Sequence, residues 1–265
     1  MNKPLPFANK DLGQHFLKDK KVIEEITTDF KDEAQSLIEI GPGPGILTEG
    51  LSVLEKPFHV IEKDERMQEY LEQFVKKDNI NFTDALKVNY SEFIKERKLE
   101  NNLWLVSNLP YNISTPLLIL FLKCPEIKFM TLMFQKEVAD KVFAFARTKN
   151  IMGSLMCLSQ TYFETSLLSK VAPGAFIPPP KVDSAVISFK RRENPVISLD
   201  EFLKYEKFLR LVFSQKRKQM KKVLKSAYPE QTVTQTLEKL NLPLTIRSEA
   251  LQLEDIQNLY KELSK

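Results

Sequence analysis

The sequence predicts an α/β protein with a doubly wound, mostly parallel sheet and a small all-helical C-terminal domain. Short apolar runs of the kind that form buried parallel strands alternate with amphipathic stretches through the first part of the chain. Several of these runs end in glycine, acidic or amide residues, as strands do at the ligand-binding edge of an open α/β sheet. From about Arg191 onward the pattern indicates only short amphipathic helices. We therefore expect a cofactor-binding catalytic domain over residues 1–190 and a helical domain over 191–265.

The predicted elements of the first half alternate between strand and helix, which favours parallel strand pairing. A helix is expected over 20–30, and another begins at Ile46 after a glycine-rich turn. The helix after the fourth strand is expected to have Ser114 or Thr115 as its N-cap, with Pro116 near its first position. The strands of this half are predicted over 36–40, 58–61, 80–83 and 103–106.

Strands continue in the second half until about residue 190. A helix follows Gln135 and is expected to end near Arg147, and a second helix is expected over 153–160. The remaining strands are predicted over 129–134, 162–168 and 182–189. The C-terminal helices, which have amphipathic spacing, are predicted over 199–213, 216–227, 232–240 and 248–263.

Composition limits the class of protein. The chain has 265 residues, of which 43% are hydrophobic and 28% charged, as is typical of a globular protein. We expect a cytoplasmic protein without a membrane partner, because no apolar run could span a bilayer and no signal-peptide pattern precedes the first motif. Cys124 and Cys157 are expected to be reduced core thiols. Neither histidine, His15 or His59, has a carboxylate-rich cluster beside it, which argues against a metal site.

A glycine-rich turn after the strand 36–40 indicates a cofactor site. In Gly41-Pro42-Gly43-Pro44-Gly45 the spacing differs from the G-x-G-x-x-G of dinucleotide sites, and the prolines lack the N–H groups that a pyrophosphate needs. These features favour a cofactor without phosphate. Glu62 ends the next strand, where an acid can accept both ribose hydroxyls, and Asp84 ends the third, suitably placed for an adenine amine. Each acid alone is more often a surface residue, but the three strand ends together predict a nucleoside-containing cofactor.

The loop Asn108-Leu109-Pro110-Tyr111 is the expected reaction centre. The Asn108 side-chain oxygen and the Leu109 carbonyl can both accept hydrogen bonds from one donor group, while Pro110 holds the turn and Tyr111 offers a ring for stacking. Two acceptors and a ring suit the exocyclic amine of a planar base such as adenine. Its nitrogen lone pair is delocalised into the ring, and acceptors that favour a pyramidal nitrogen restore it in the transition state. The alternative is an ordinary strand-to-helix turn with a buried tyrosine.

Two further features suggest a nucleic-acid substrate. Phe176 precedes the stiff Pro178-Pro179-Pro180 run, where it could cover a base from the face opposite Tyr111; the alternative is a core phenylalanine before a linker. Residues 191–265 carry 15 Lys/Arg against 10 Asp/Glu, which suits RNA phosphates, although a solvated helix face is the alternative. The densest part of this basic excess contains Lys216, Arg217, Lys218, Lys221 and Lys222.

Four motifs follow one another along nearly the whole chain: Gln14-His15-Phe16-Leu17, Glu39-Ile40-Gly41-Pro42-Gly43, residues 108–115 and residues 176–184. Together they closely resemble the bacterial 16S rRNA adenine N6,N6-dimethyltransferases, the KsgA/RsmA family. The resemblance implies a Rossmann-like methyltransferase sheet, S-adenosylmethionine as cofactor, and a monomer that dimethylates two adjacent adenines near the 3′ end of the 16S rRNA of the small ribosomal subunit. It also implies that domain 191–265 binds rRNA. The family's cofactor contacts fall on His15, where many members have asparagine, and on Leu17, Gly41, Glu62, Asp84 and Asn108.

The resemblance also implies a mechanism, namely in-line transfer of the sulfonium methyl group to adenine N6 without a metal or a covalent enzyme intermediate. The target base would be splayed out of its RNA loop and held between Tyr111 and Phe176. Two alternatives remain: a 23S rRNA methyltransferase of the antibiotic-resistance type, with a similar fold and motifs, and a non-catalytic ribosome assembly factor. The leucine of Asn-Leu-Pro-Tyr favours the small subunit, and the glycine spacing disfavours a nicotinamide dehydrogenase.

Overall fold

The structure, a computed structural model, describes residues 4–9, 12–143, 152–215 and 217–265. The chain divides into two compact units. The first comprises Met1–Ala139 and Thr165–Arg191, and the second comprises Asp140–Glu164 and Arg192–Lys265.

The second unit takes in residues 140–164, which the sequence prediction placed in the domain 1–190. The reason is that the helix Ser154–Tyr162 packs against the helices Phe202–Val212 and Leu253–Leu263. The catalytic and RNA-binding roles of the two predicted domains stay predictions.

Most described strands belong to one sheet. The strands are β1 (Phe16–Leu17), β2 (Ser36–Ile40), β3 (Phe58–Glu62), β4 (Ile80–Phe82), β5 (Leu103–Asn108), β6 (Ile127–Gln135), β7 (Phe163–Val171), β8 (Phe176–Ile177) and β9 (Ser184–Arg191). The sheet has the order β4-β3-β2-β5-β6-β9-β7. The pairs from β4 to β6 are parallel and β6 pairs with β9 antiparallel, so the prediction of a mostly parallel sheet is confirmed. A separate ribbon joins β1 to β8 in antiparallel register.

The helices agree with the predicted order but differ at several ends. They are α1 (Lys20–Thr28), α2 (Ile46–Ser52), α3 (Gln68–Leu71), α4 (Tyr90–Glu96), α5 (Ser114–Lys123), α6 (Lys136–Val142), α7 (Ser154–Tyr162), α8 (Phe202–Val212), α9 (Met220–Leu224), α10 (Glu230–Lys239) and α11 (Leu253–Leu263). The predicted N-cap of α5 is wrong: Ile113 occupies that position, and Ser114 is the first helical residue, with its Oγ donating to the Tyr111 carbonyl at 3.1 Å. The predicted end of α6 near Arg147 lies outside the described residues.

The predicted helix over 216–227 is also wrong in extent, because α9 begins only at Met220. Gln219 is extended and forms an antiparallel bridge with Arg247, while the Met220 N–H donates to the Ile246 carbonyl at 2.7 Å. Backbone groups that pair with a distant segment cannot also continue a helix. The basic residues 217 and 218 therefore precede the helix.

The centre of the sheet is buried on both faces, as its apolar sequence predicts. In β5 all residues before Asn108 are buried, and Trp104 is fully covered. The Trp104 indole N–H donates to Thr131 Oγ1 at 2.9 Å, and this hydroxyl donates to Asp29 Oδ2 at 2.6 Å. Because the buried polar groups have partners, the core carries Trp104 without a desolvation penalty for its N–H. A rigid β5 in turn holds the loop that follows it.

Candidate active site

The carboxyl ends of β2, β3 and β5 border a cavity of about 210 Å³ in the first unit. Parallel neighbours end at the same edge of a sheet, so Gly41, Glu62 and Asn108 come together there. The predicted site residues that line the cavity are His15, Leu17, Gly41, Glu62, Asp84, Asn108, Leu109, Pro110 and Tyr111.

The loop after β5 faces the glycine turn. Gly41 has a φ of +65°, and a Cβ at this position would lie 3.9 Å from Cδ and Cγ of Pro110. Directly before these residues, Ser107 Oγ donates to the Ile40 carbonyl at 2.6 Å and joins the ends of β5 and β2. The loop and the turn are therefore two walls of one cavity, and Gly41 is part of its lining.

Glu62 is held in one orientation by backbone donors. Its Oε2 accepts from the Gly43 N–H at 2.9 Å, and its Oε1 accepts from the N–H groups of Lys63 and Asp64 at 2.8 Å each. Burial raises the pKa of Glu62, and these three hydrogen bonds oppose that shift. Oε1 already accepts two hydrogen bonds, whereas Oε2 accepts one and can accept another. The side chain is thus a fixed acceptor at the end of β3.

Asp84 is a more exposed acceptor on the same cavity. Its Oδ2 pairs with Lys63 Nζ at 3.0 Å, and its Oδ1 accepts from the Leu86 N–H at 3.0 Å. The hydrogen bond from Lys63 is the main reason why the pKa of Asp84 lies below its usual range. Asp84 is therefore ionised at neutral pH.

The Asn108 side chain is oriented by the N-terminal motif. Its Nδ2 donates to the His15 carbonyl at 3.1 Å. A carbonyl can only accept, so this contact fixes which end of the amide is nitrogen. Asn108 Oδ1 is then an acceptor, and it has no hydrogen-bond partner among the residues that the structure describes. Next to it, the Leu109 N–H donates to the Met133 carbonyl at 3.3 Å, which anchors the Leu109 peptide on β6.

The Tyr111 ring has a neighbour on one face and an anchor at its hydroxyl. The His15 ring stacks on it with a centroid distance of 5.7 Å and an interplanar angle of 25°. The Tyr111 hydroxyl shares a hydrogen bond of 2.8 Å with Ser184 Oγ, at the start of β9. Burial raises the pKa of Tyr111, so the phenol remains neutral.

Phe176 is not brought to the cavity. The ribbon of β1 and β8 aligns Phe176 with Leu17, and its ring is 1% exposed in a core cluster that includes Ala175 and Val186. The expected sandwich of a base between Tyr111 and Phe176 is therefore not formed in this structure. Its position corresponds to the alternative of a core phenylalanine, because the pairing of two distant strands covers the ring.

Two residues of the site, Glu39 and Ser184, have no role assigned to them from the sequence. Glu39 is a fully buried carboxyl two residues before Gly41; it lines the cavity and accepts from Thr48 Oγ1 at 2.7 Å. Its signal was available, since a single acid inside an otherwise apolar strand is unusual. Ser184, the anchor of Tyr111, had no such signal, because its contact joins positions 73 residues apart.

The basic residues of the C-terminal segment belong to the second unit. Arg217, Lys218 and Lys222 are exposed and have no ion pair among the described residues, whereas Lys221 pairs with Glu230 at 3.2 Å. Lys216 lies outside the described residues. The bridge between Gln219 and Arg247 adds an exposed arginine beside this segment, which the sequence alone did not indicate.

Over the described parts of the chain, no three or more His, Cys, Asp or Glu side chains gather in a way that could hold a metal ion. None of the described helices is long and apolar enough to cross a membrane.

Comparison with known proteins identifies the family. The sequence profile of the family described as "Ribosomal RNA adenine dimethylase" matches residues 7–265. The chain belongs to this family. The predicted resemblance is thereby confirmed, and the chain is an rRNA adenine dimethyltransferase. The family and the fold imply the use of S-adenosylmethionine.

Relatives and solved structures agree with the family. The "Ribosomal RNA small subunit methyltransferase A" of Clostridium botulinum (strain Okra / Type B1) is 36% identical over 95% of this chain and 92% of the relative. The protein of the same name from Staphylococcus haemolyticus (strain JCSC1435) is 33% identical over 96% and 89%. Among solved structures, a dimethyladenosine transferase from Plasmodium falciparum has a TM-score of 0.77 and 25% identity over 92% of this chain and 96% of that one. The 23S rRNA methyltransferase ErmE has a TM-score of 0.71 and 25% identity over 94% and 100%.

Proposed function

We propose that this rRNA adenine dimethyltransferase methylates N6 of two adjacent adenines in the 3′-terminal hairpin loop of 16S rRNA, as a step in the biogenesis of the small ribosomal subunit. The names of relatives at 33–36% identity support the small-subunit substrate over 23S rRNA. Ribosomes of bacteria are assembled in the cytoplasm, where we propose that the protein acts as a monomer.

The residues of the cavity fit a nucleoside cofactor without phosphate. In the proposal, Oε2 of the fixed Glu62 carboxylate accepts from a ribose hydroxyl, and ionised Asp84 accepts from the adenine amine. The backbone of Gly41, which has no Cβ to cover it, lies against the ligand, while Leu17 and the backbone of His15 form the wall on the side of the N-terminal motif. When bound, S-adenosylmethionine supplies a methyl group on a positively charged sulfur.

The observation that carries the proposal is the orientation of Asn108. The His15 carbonyl accepts a hydrogen bond from Asn108 Nδ2, so Asn108 Oδ1 remains as an acceptor at the cavity. Together with the Leu109 carbonyl, it would accept the two hydrogens of the adenine amine. These hydrogen bonds favour a pyramidal nitrogen and hence the transition state more than the ground state. The released proton passes to water after transfer, and positioning supplies most of the remaining acceleration.

Tyr111 is the proposed platform for the extruded base. Its hydroxyl is anchored on Ser184, so the ring is held without being locked into the core. Stacking on an aromatic side chain is worth about 1–3 kcal/mol per base, which offsets much of the cost of unstacking the base from its loop. The proposed contribution of Phe176 requires its ring to leave the core cluster.

The test uses purified small and large ribosomal subunits from cells that lack this modification. We expect the wild-type protein to methylate small subunits at two adjacent adenines and large subunits not at all. Asn108→Ala should reduce turnover by about 10²–10³-fold, in the range found for loss of one donor or acceptor that acts in the transition state. Binding of S-adenosylhomocysteine should be retained in part.

The matched control is Asn101→Ala. It removes an exposed asparagine side chain that precedes β5, the strand that ends at Asn108, and should leave turnover unchanged. Near-normal turnover of Asn108→Ala would remove its assigned role. Methylation of large subunits alone would favour the 23S alternative, and failure to bind S-adenosylhomocysteine would favour a non-catalytic assembly factor.

We further propose that the exposed cations Arg217, Lys218 and Lys222 bind rRNA phosphates. Replacing Arg217 and Lys218 with glutamine should weaken binding to small subunits and reduce the slope of log K against log salt by about 2, since each phosphate contact contributes about 1. Lys239→Gln is the control within the same unit, because Lys239 is already paired with Glu262 at 2.7 Å. An unchanged salt slope in the double variant would leave this segment as a solvated surface.

A further inference from the structure

The side chain of His15 contacts two of the other motif segments of the first unit. Its ring Nδ1 lies 2.8 Å from the Pro178 carbonyl, and its ring stacks on Tyr111. Its own backbone carbonyl holds the amide of Asn108. One residue thus joins the N-terminal motif, the loop after β5 and the proline-rich segment after β8.

The contact with Pro178 shows which ring nitrogen of His15 is the donor. A carbonyl accepts but does not donate, so Nδ1 of His15 carries a hydrogen. The hydrogen bond and the stack together occupy one ring nitrogen and one ring face. Both partners of the ring lie on segments proposed to meet the RNA base, and neither is a residue to which the cofactor has been assigned.

We propose that the His15 imidazole is a positioning residue for the substrate base: it holds Tyr111 against the segment at Pro178 so that the adenine stacks on the face of Tyr111 that His15 leaves open. The inference rests on the proposed function of Tyr111 and extends it to a second ring. It assigns the His15 side chain to the RNA side of the site, and only its backbone to the cofactor side.

This arrangement compensates for the burial of Phe176. Since the Phe176 ring is covered in this structure, Tyr111 is the ring to which the proposal assigns the stacking of the base. A tyrosine backed by a second ring is restrained in tilt, and such pairs favour offset stacking. His15 therefore makes the Tyr111 platform more rigid, which lowers the entropic cost of ordering it when the base binds.

The experiment compares three variants that keep the backbone carbonyl of residue 15 and differ in the side chain. His15→Phe retains a ring without the hydrogen bond to Pro178, His15→Asn retains a donor without the ring, and His15→Ala removes both. We expect Ala and Asn to raise the KM for unmethylated small subunits by about 3- to 10-fold, the range of one aromatic pair. The Phe variant should lie between Ala and wild type, because it keeps the stack on Tyr111 and loses the hydrogen bond to Pro178. The Kd for S-adenosylhomocysteine should stay unchanged in all three.

A double-mutant cycle with Tyr111→Ala supplies the control. If His15 acts through Tyr111, His15→Ala should add nothing in the Tyr111→Ala background. Three results would overturn the inference. The first is that His15→Ala raises the KM in the Tyr111→Ala background as much as it does in the wild-type background. The others are a KM of His15→Phe as high as that of His15→Ala, and a weaker Kd for S-adenosylhomocysteine with an unchanged KM for subunits. Thermal unfolding of each variant accompanies the kinetics, and His15→Asn, the smallest change in polarity, serves if His15→Ala does not fold.

The cycle also separates this inference from the proposed function. Wild-type turnover in Tyr111→Ala would contradict the stacking role of Tyr111 itself. A strongly impaired Tyr111→Ala with wild-type kinetics in all His15 variants would overturn only the role of His15.

Discussion

Glu39 should make the stability of the protein fall as pH rises, and Glu39→Gln should remove this effect. The carboxyl is fully buried in β2, and burial is the main reason why its pKa is raised from 4.5 to about 8, although Thr48 donates to it and partly opposes the shift. In the unfolded chain the same carboxyl ionises near its ordinary value. Between these two pH values the unfolded state loses its proton while the folded state keeps it, so the free energy of unfolding decreases with increasing pH.

The size of the effect follows from the two pKa values. Each pH unit between 4.5 and about 8 removes up to about 1.36 kcal/mol, which amounts to about 5 kcal/mol over the whole window. Glutamine resembles the protonated acid in shape and can still accept from Thr48. We therefore expect wild type and Glu39→Gln to be equally stable near pH 4.5, with the variant increasingly more stable up to pH 8.

Urea denaturation without cofactor, at several pH values between 5 and 8, measures this difference. Glu100→Gln, which changes an exposed acid, is the control and should follow the wild-type curve. Other titrating groups are common to all three proteins and cancel in the comparison. Parallel curves for wild type and Glu39→Gln would refute the reasoning, because they would mean that the carboxyl has the same proton affinity in both states.

Two further predictions concern packing. Phe176→Ala should lower the free energy of unfolding, measured by urea denaturation, by about 3–5 kcal/mol, because the Phe176 ring is 1% exposed. Phe7→Ala is the control and should change it by less than about 0.5 kcal/mol, because Phe7 is 94% exposed. Equal effects of the two substitutions would place Phe176 outside the core. Gly45→Ala should lower the melting temperature, since φ of Gly45 is +90° and an added Cβ would lie 3.0 Å from the Phe74 ring. Gly174→Ala is the control and should leave the melting temperature unchanged, because a Cβ added at residue 174 would have no atom within 4 Å. A neutral Gly45→Ala would contradict the geometry of that turn.

The grouping of the residues to which we assign the cofactor could be predicted from the sequence because it depends on short-range patterns. Strands β2, β3 and β5 are short apolar runs bounded by polar or glycine residues, and parallel strands end at one edge of a sheet. The pattern therefore predicts that Gly41, Glu62 and Asn108 lie together, and all three line the same cavity. Only parallel pairing of these strands is needed for this prediction, and the alternation of strands with helices favours such pairing.

The errors arise where distant segments meet. The amphipathic pattern over 216–227 predicts a helix from 216, but the bridge of Gln219 with Arg247 keeps the chain extended up to Met220. Phe176 was expected to be free to meet a base, but its pairing with Leu17 across about 160 residues places it in the core. Neither contact has a periodic signal in the sequence, since both depend on tertiary pairing.

The ribbon of β1 and β8 also sets an order of events during synthesis. A nascent polypeptide that has emerged only through β6 already contains the glycine turn and the loop after β5, yet residues 16–17 still lack their partner strand. Leu17 gains its strand partner only when residues 176–177 have left the ribosome. All residues that line the cavity precede β6, so the late event is the pairing that fixes β1, tied in time to translation of the final third of the chain.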